Sequence, residues 1–175
     1  MGIPFGLRDV KMTPITPGTG AFGTPVDLPN SRTFSFEETE DFQELRGDDK
    51  VVATRGQGAS VSWELESGGI SLEALVVLNG GTVVVSGTGP TAKKTYTKKV
   101  TDQRPEFKIE GQALSESGGD FHLVLPRCKT NGSVSGELGD GAFWLTSASG
   151  IGMADSSDKL YDFVENSSIT PIPVI

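Results

Sequence analysis

Cysteine and histidine are nearly absent: the chain has only Cys128 and His122. A single cysteine excludes an internal disulfide framework and fits a reducing compartment. One Cys and one His are too few for a zinc site without unusual carboxylate help. His122 alternates with Phe121 and Leu123, where a lone histidine reads as a surface or half-buried polar residue rather than a ligand. The acidic residues form no Asp-x-Asp-x-Asp-Gly calcium loop. Gly87-Thr88-Gly89-Pro90 lacks the Lys-Ser/Thr and the helix of a phosphate cradle, so it reads as a turn. No catalytic residue, metal or cofactor is expected.

Long apolar runs are missing as well. Nowhere do 18 apolar residues follow one another, so no helical membrane span is expected. No apolar segment follows a basic N-terminus, so no export signal is expected. Arg46-Gly47-Asp48 therefore reads as a hairpin turn, and the sequons at Asn131 and Asn166 as turn residues. Basic charge is short too: 15 Lys and Arg against 23 Asp and Glu, a net charge of -8. Surfaces that grip nucleic acid are basic, so this balance argues against one. It is compatible with a surface that must avoid gripping it.

What the chain does have is 23 glycines, 10 prolines and abundant Val, Ser and Thr, the composition of a turn-rich β fold. Its 175 residues fit one domain, 1–175, with a buried core. One helix is expected at about 70–79. Ser71 serves as its N-cap, Leu72, Leu75, Val76 and Asn79 as its inward stripe, and Asn79-Gly80-Gly81 as its stop. So short a helix must lean on a sheet.

The rest reads as about ten short strands. Residues 3–12 form the first, with Phe5, Leu7 and Val10 inward. Residues 13–30 carry four prolines and three glycines and read as an extended loop or arm. A long acidic hairpin spans 32–54, with Val51–Thr54 as its returning strand. Ser60–Glu66 has the clearest period of two, with Val61, Trp63 and Leu65 inward. Further strands are expected at 82–86, 93–101, 106–113, 120–130, 142–147 and 159–165. Asn131-Gly132-Ser133 and 148–158 read as loops, and 166–175 as a C-terminal arm suited to a neighbour's surface. The fold class is mainly β: a β-sandwich or barrel of antiparallel strands with one flanking helix.

Charge is segregated along the chain. Glu37, Glu38, Glu40, Asp41, Glu44, Asp48 and Asp49 make the hairpin acidic. Between 93 and 108 there are six basic residues against two acidic ones, led by Lys93, Lys94, Lys98 and Lys99. One reading is ordinary surface scatter. The other is self-complementarity, in which the acidic face of one copy meets the basic segment of the next.

Three stretches carry a family resemblance: Ile3-Pro4-Phe5-Gly6-Leu7-Arg8-Asp9-Val10, Phe42 to Ala53, and Gly68-Gly69-Ile70-Ser71-Leu72-Glu73-Ala74. They resemble the major tail tube protein of long, non-contractile-tailed bacteriophages, particularly those infecting actinobacteria. The resemblance implies a structural virion protein in the phage tail. Its hexameric rings stack into a tube, and each subunit gives about four strands to a continuous inner β-barrel. The implied partners are further copies of itself, the tape-measure, tail-tip and tail-terminator proteins, and double-stranded DNA passing through without specific binding. Membranes are not among them.

An electronegative lumen follows from the resemblance, with Glu37, Glu64 and Glu66 as candidate lumen carboxylates. The ring-to-ring candidates are Glu38, Glu40, Asp41, Glu44, Asp48 and Asp49 against Lys93, Lys94, Lys98 and Lys99. On this reading, reversing Lys98 and Lys99 to Glu stops tube formation while the monomer still folds. The alternatives are another tail component on the same fold, such as a tail-completion or distal-tail protein, and a non-viral β-sandwich binding module. The module should cluster aromatics on an exposed face, whereas Trp63, one of two tryptophans, reads as inward.

Overall fold

The structure, a computed structural model, describes residues 2–137 and 139–172. The fold is mainly β, built from antiparallel sheets with one short helix. The strands are β1 (Pro4–Ile15), β2 (Val26–Asp27), β3 (Ser31–Gly47), β4 (Lys50–Gly68), β5 (Thr82–Ser86), β6 (Lys93–Thr97), β7 (Glu106–Ser115), β8 (Asp120–Gly136), β9 (Leu145–Gly152) and β10 (Asp162–Asn166). The helix α1 spans Leu72–Asn79. The main sheet runs β2-β1-β7-β8-β9-β4-β3, with β10 also paired to β8, and β5-β6 forms a separate ribbon.

β8 joins two layers. Its first half pairs with β7 and β10, and its second half with β9. Pro126 sits at the handover, between Val124, the last residue facing β10, and Cys128, the first facing β9. A proline has no N–H to give a ladder, so it suits the point where the partner changes. The layers close over a core of Val10, Met12, Val61, Trp63, Leu65, Phe107, Ile109 and Leu125. Trp63 and Phe107 meet edge to face, 5.7 Å between centroids, an arrangement that suits their ring quadrupoles. Gly111 lies under the Phe34 ring, where any Cβ would collide with it.

The helix begins as expected: the Ser71 hydroxyl accepts the Ala74 N–H at 3.2 Å. Its inward face differs from the expected stripe. Ala74, Val77 and Leu78 are buried, while Leu72, Leu75, Val76 and Asn79 are half-buried. Apolar residues surround this helix, so contacts with β1, β2, β7 and β8 rather than periodicity choose its face.

Several expected boundaries move. The acidic hairpin is longer, because Val51–Thr54 and Ser60–Glu66 belong to one strand of 19 residues. Asp48 and Asp49, both at positive φ, make its two-residue turn, the geometry that matches strand twist. β3, β4 and β8 are long rather than short. Asn131-Gly132-Ser133 is a bulge within β8 and not a loop. The strand expected at 142–147 lies at 145–152, which takes in part of the expected polar loop. The last strand starts at Asp162 rather than Lys159, and β6 ends at Thr97. Phe5 is exposed, because β1 bulges between Phe5 and Asp9. The proline-rich 13–30 segment folds back on its own subunit: residues 13–15 continue β1, β2 pairs with it, and Ile15 bridges Phe22.

The C-terminal segment also returns to its own subunit. Ile172 is buried, and the Ile172 carbonyl accepts from Lys11 Nζ at 3.1 Å. Beneath it lies a polar cluster: Asp120, Gln112 and His122 are buried, and the Thr170 carbonyl accepts from Gln112 Nε2. His122 is thus an interior residue, with Nε2 3.2 Å from Asp120 and Nδ1 3.6 Å from Glu110. Residues 173–175 of the expected arm lie outside the described residues.

Candidate functional site

Direct pairing in an antiparallel sheet puts opposed side chains on the same face. Glu64 faces Ser35 on β3 and Ser149 on β9, Glu37 faces Ser62, and Glu66 faces Thr33 and Ser147. The register therefore brings Glu37, Glu64 and Glu66 onto one face of the four-stranded layer β8-β9-β4-β3. The other side of that layer carries Trp63, Leu65 and Val61 into the core. Between the carboxylates the face is almost all hydroxyl. Shallow grooves over it are lined by Thr33, Ser147 and Ser149, and by Ser35, Ser62 and Asn131. Ile151 and Lys129, an opposed pair, lie toward its β8 side. Arg32 approaches Glu66 at 3.8 Å, a solvent-screened pair worth little. Such a wall is anionic, wettable and poor in adhesive apolar area.

β9 contributes Ser147 and Ser149 to this face, and the sequence reading missed both. Leu145–Gly152 is built from small residues because the opposite face must admit a large ring. A Cβ on Gly150 would meet both the Trp63 ring and the Lys129 carbonyl. The alternation of Ser147, Ser149 and Ile151 is the signal that was available.

Both long edges of the layer lack a strand partner among the described residues. β3 ends the sheet order. β8 beyond Lys129 pairs only with β9, because β7 starts at Glu106 opposite Lys129. The four strands alternate in direction, so the β3 edge of one copy runs antiparallel to the β8 edge of the next.

The acidic hairpin continues β3 and β4 beyond the core. From Glu38 to Ser60 it is solvent-exposed apart from two half-buried glycines, and it reaches about 30 Å to its turn. Phe42, Leu45, Val51 and Val52 are exposed along it. A lone two-stranded ribbon is marginal in water. Its acids are partly engaged: Glu38 accepts from the Tyr161 hydroxyl at 2.7 Å, and Glu44 pairs with Arg46 at 2.9 Å. Glu40 and Asp41 lie along β3, opposite the Gly56–Gln57 stretch, and Asp48 and Asp49 form the tip.

The lysines are separate from that hairpin, and among the described ion pairs none joins the two groups. Lys94 on β6 pairs with Glu73 of the helix at 2.7 Å and holds that carboxyl below the usual range. Lys98 Nζ donates to the Asn79 carbonyl and, at 2.8 Å, to the Asp102 carbonyl. It thereby caps the negative end of the helix dipole. Lys93 and Lys99 project into solvent.

Cys128 is buried and its thiol is pushed up by desolvation, so it is not a ready nucleophile. Among the described residues no group of three His, Cys, Asp or Glu side chains could hold a metal. No protein-family model and no curated protein matches the chain.

Proposed function

We propose that this chain is the subunit of a self-assembled tube whose lumen passes duplex DNA, as in the tail of a long, non-contractile-tailed bacteriophage. The observation that carries the reading is the four-stranded layer, with Glu37, Glu64 and Glu66 on its solvent face and two edges of opposite direction that lack a strand partner among the described residues. An even number of strands per copy lets a head-to-tail ring close with every neighbour antiparallel. Closure removes the exposed edges that otherwise template aggregation. The inner wall is then the serine, threonine and glutamate face. Phosphates gain nothing from it, so a duplex slides rather than sticks.

The hairpin is the element that joins rings. It places apolar and acidic side chains on a ribbon too thin to bury them itself, so a neighbouring copy provides the surface. Lys93 and Lys99 are the partners available to its acids, since Lys94 and Lys98 serve their own helix. The resting place of the assembled subunit is the virion tail.

Negative-stain electron microscopy of the concentrated protein at several salt levels tests the reading. Hollow rings or tubes of uniform bore are expected. Compact monomers under all conditions, including in the presence of a tail-tip initiator, would overturn it.

A further inference from the structure

The unpaired edge of β8 is not bare, and the group that covers it is a side chain. The β7–β8 ladder reaches Glu106 opposite Lys129 and then meets Pro105, which has no N–H to extend it. Arg104 takes over from there. Its Nη1 donates to the Thr130 carbonyl at 3.1 Å and the Gly132 carbonyl at 2.7 Å. Its Nε donates to Asn79 Oδ1 at 3.1 Å, which anchors the guanidinium against the end of the helix. Thr130 is the last residue in regular register with β9 and Gly132 lies in the bulge after it, so both carbonyls are backbone acceptors on the stretch of β8 that β7 has left.

We propose that Arg104 is an assembly latch. It occupies the β8 acceptors that the β3 edge of a second copy needs, and it must swing away before two copies join. The proposal rests on the tube reading above and adds a device to it. A free subunit with two bare complementary edges would pair indiscriminately. A charged donor on one edge is a removable block: its bonds are strong enough to hold the resting state, and backbone N–H groups of an incoming strand replace them. Beyond the bulge, Val134 to Gly136 pair with β9 and have no second strand partner among the described residues, so that edge receives the first contact.

The test uses two populations of full-length chain, one carrying Thr33→Cys on β3 and the other Ser135→Cys on β8. Both positions are exposed, and native Cys128 is buried. A short bis-maleimide traps mixed dimers when the two edges meet. The mixture is compared in the native, Arg104→Ala and Asn79→Ala backgrounds, with circular dichroism confirming the fold. Arg104→Ala is expected to raise the initial cross-linking rate roughly tenfold, about the effect of one charged hydrogen bond. Asn79→Ala keeps the guanidinium but frees its anchor, and is expected to raise the rate by a smaller factor.

An unchanged or slower rate in folded Arg104→Ala, with native chains still cross-linking, overturns the latch and leaves the edge pairing standing. If Arg104→Ala fails to fold, Asn79→Ala decides in the same way. Rings visible by microscopy without mixed dimers in any background overturn the latch and the β3–β8 assignment, but not the tube. Neither rings nor mixed dimers overturn the latch together with the tube reading.

Discussion

The Thr170 backbone N–H donates to the buried Asp120 carboxylate at 2.8 Å, and so ties the C-terminal segment to the outer face of its own sheet. Gln112 Nε2 and Asn166 Nδ2 donate to the same carboxylate. Burial alone would raise the Asp120 pKa, but the bonds from Thr170, Asn166, Gln112 and His122 outweigh it and hold the group well below the usual carboxylate range. A depressed native pKa contributes stability that is fully present above the unfolded value of about 3.9. That stability is lost as pH falls from there through the native value. Acid titration followed by fluorescence should therefore show destabilisation below about pH 4 that is weaker in Asp120→Asn. At neutral pH, Asp120→Asn puts N–H groups where donors already point and should cost about 3 kcal/mol. For a chain of this size that is a Tm lower by about 10 °C in calorimetry.

Lys98 and its neighbours separate helix capping from charge pairing. Lys98→Glu places an anion against the C-terminal carbonyls of the helix, so it should lower Tm by a few degrees whatever happens to assembly. Reversing Lys98 and Lys99 together therefore confounds folding with association. The clean variant is Lys93→Glu with Lys99→Glu, whose side chains project into solvent. It should melt like the native chain yet form no tubes at moderate salt, as scored by microscopy and sedimentation. Tubes of normal length from that variant would sink the pairing of hairpin acids with these lysines.

Legibility in the sequence followed locality. Ser60–Glu66 was readable because one face is buried and the other wet, so period two survives in the residue types. Ser71 and the glycines after Asn79 marked the helix ends, since caps are local chemistry. Its buried face was not readable, because Leu72, Leu75, Val76, Val77 and Leu78 surround it with apolar residues. β9 was displaced in the reading because Gly150 owes its size to Trp63, a residue far away in sequence. The C-terminal segment looked like a free arm, since its prolines and apolar residues carry no sign of Asp120. The three carboxylates were named from a resemblance, but that they share a face follows only from the register of β3, β4 and β9.

That shared face predicts a gain of function. Glu37→Lys, Glu64→Lys and Glu66→Lys together reverse the wall without touching the core, since Glu37 and Glu64 are exposed and Glu66 is half-buried. Tubes assembled from the triple variant should bind duplex DNA at low salt and release it as salt rises, with a log-log slope that reports the phosphates contacted. Native tubes should bind none in the same filter assay. The triple Gln variant should be as inert as the native tube, because neutral amides offer phosphates no counterion release. Equal DNA retention by Lys and native tubes would place these residues outside the lumen.

Removing the hairpin tip separates ring joining from folding. The segment from Thr39 to Ser60 is held mainly by its own ladder and by a hydroxyl contact between those two residues. Its apolar side chains bury little within the chain, so their loss should scarcely alter core stability. Replacing residues 40–59 with Asn-Gly joins Thr39 to Ser60 through a turn of matching twist. The shortened chain should melt within a few degrees of the native one, because the buried pairs around Trp63 and Leu65 remain. It keeps both edges of the four-stranded layer, so single rings should still form while stacked tubes do not. Particle heights in microscopy distinguish the two: a uniform one-ring height supports the hairpin as the inter-ring element. Full-length tubes from the shortened chain would assign ring stacking to another surface.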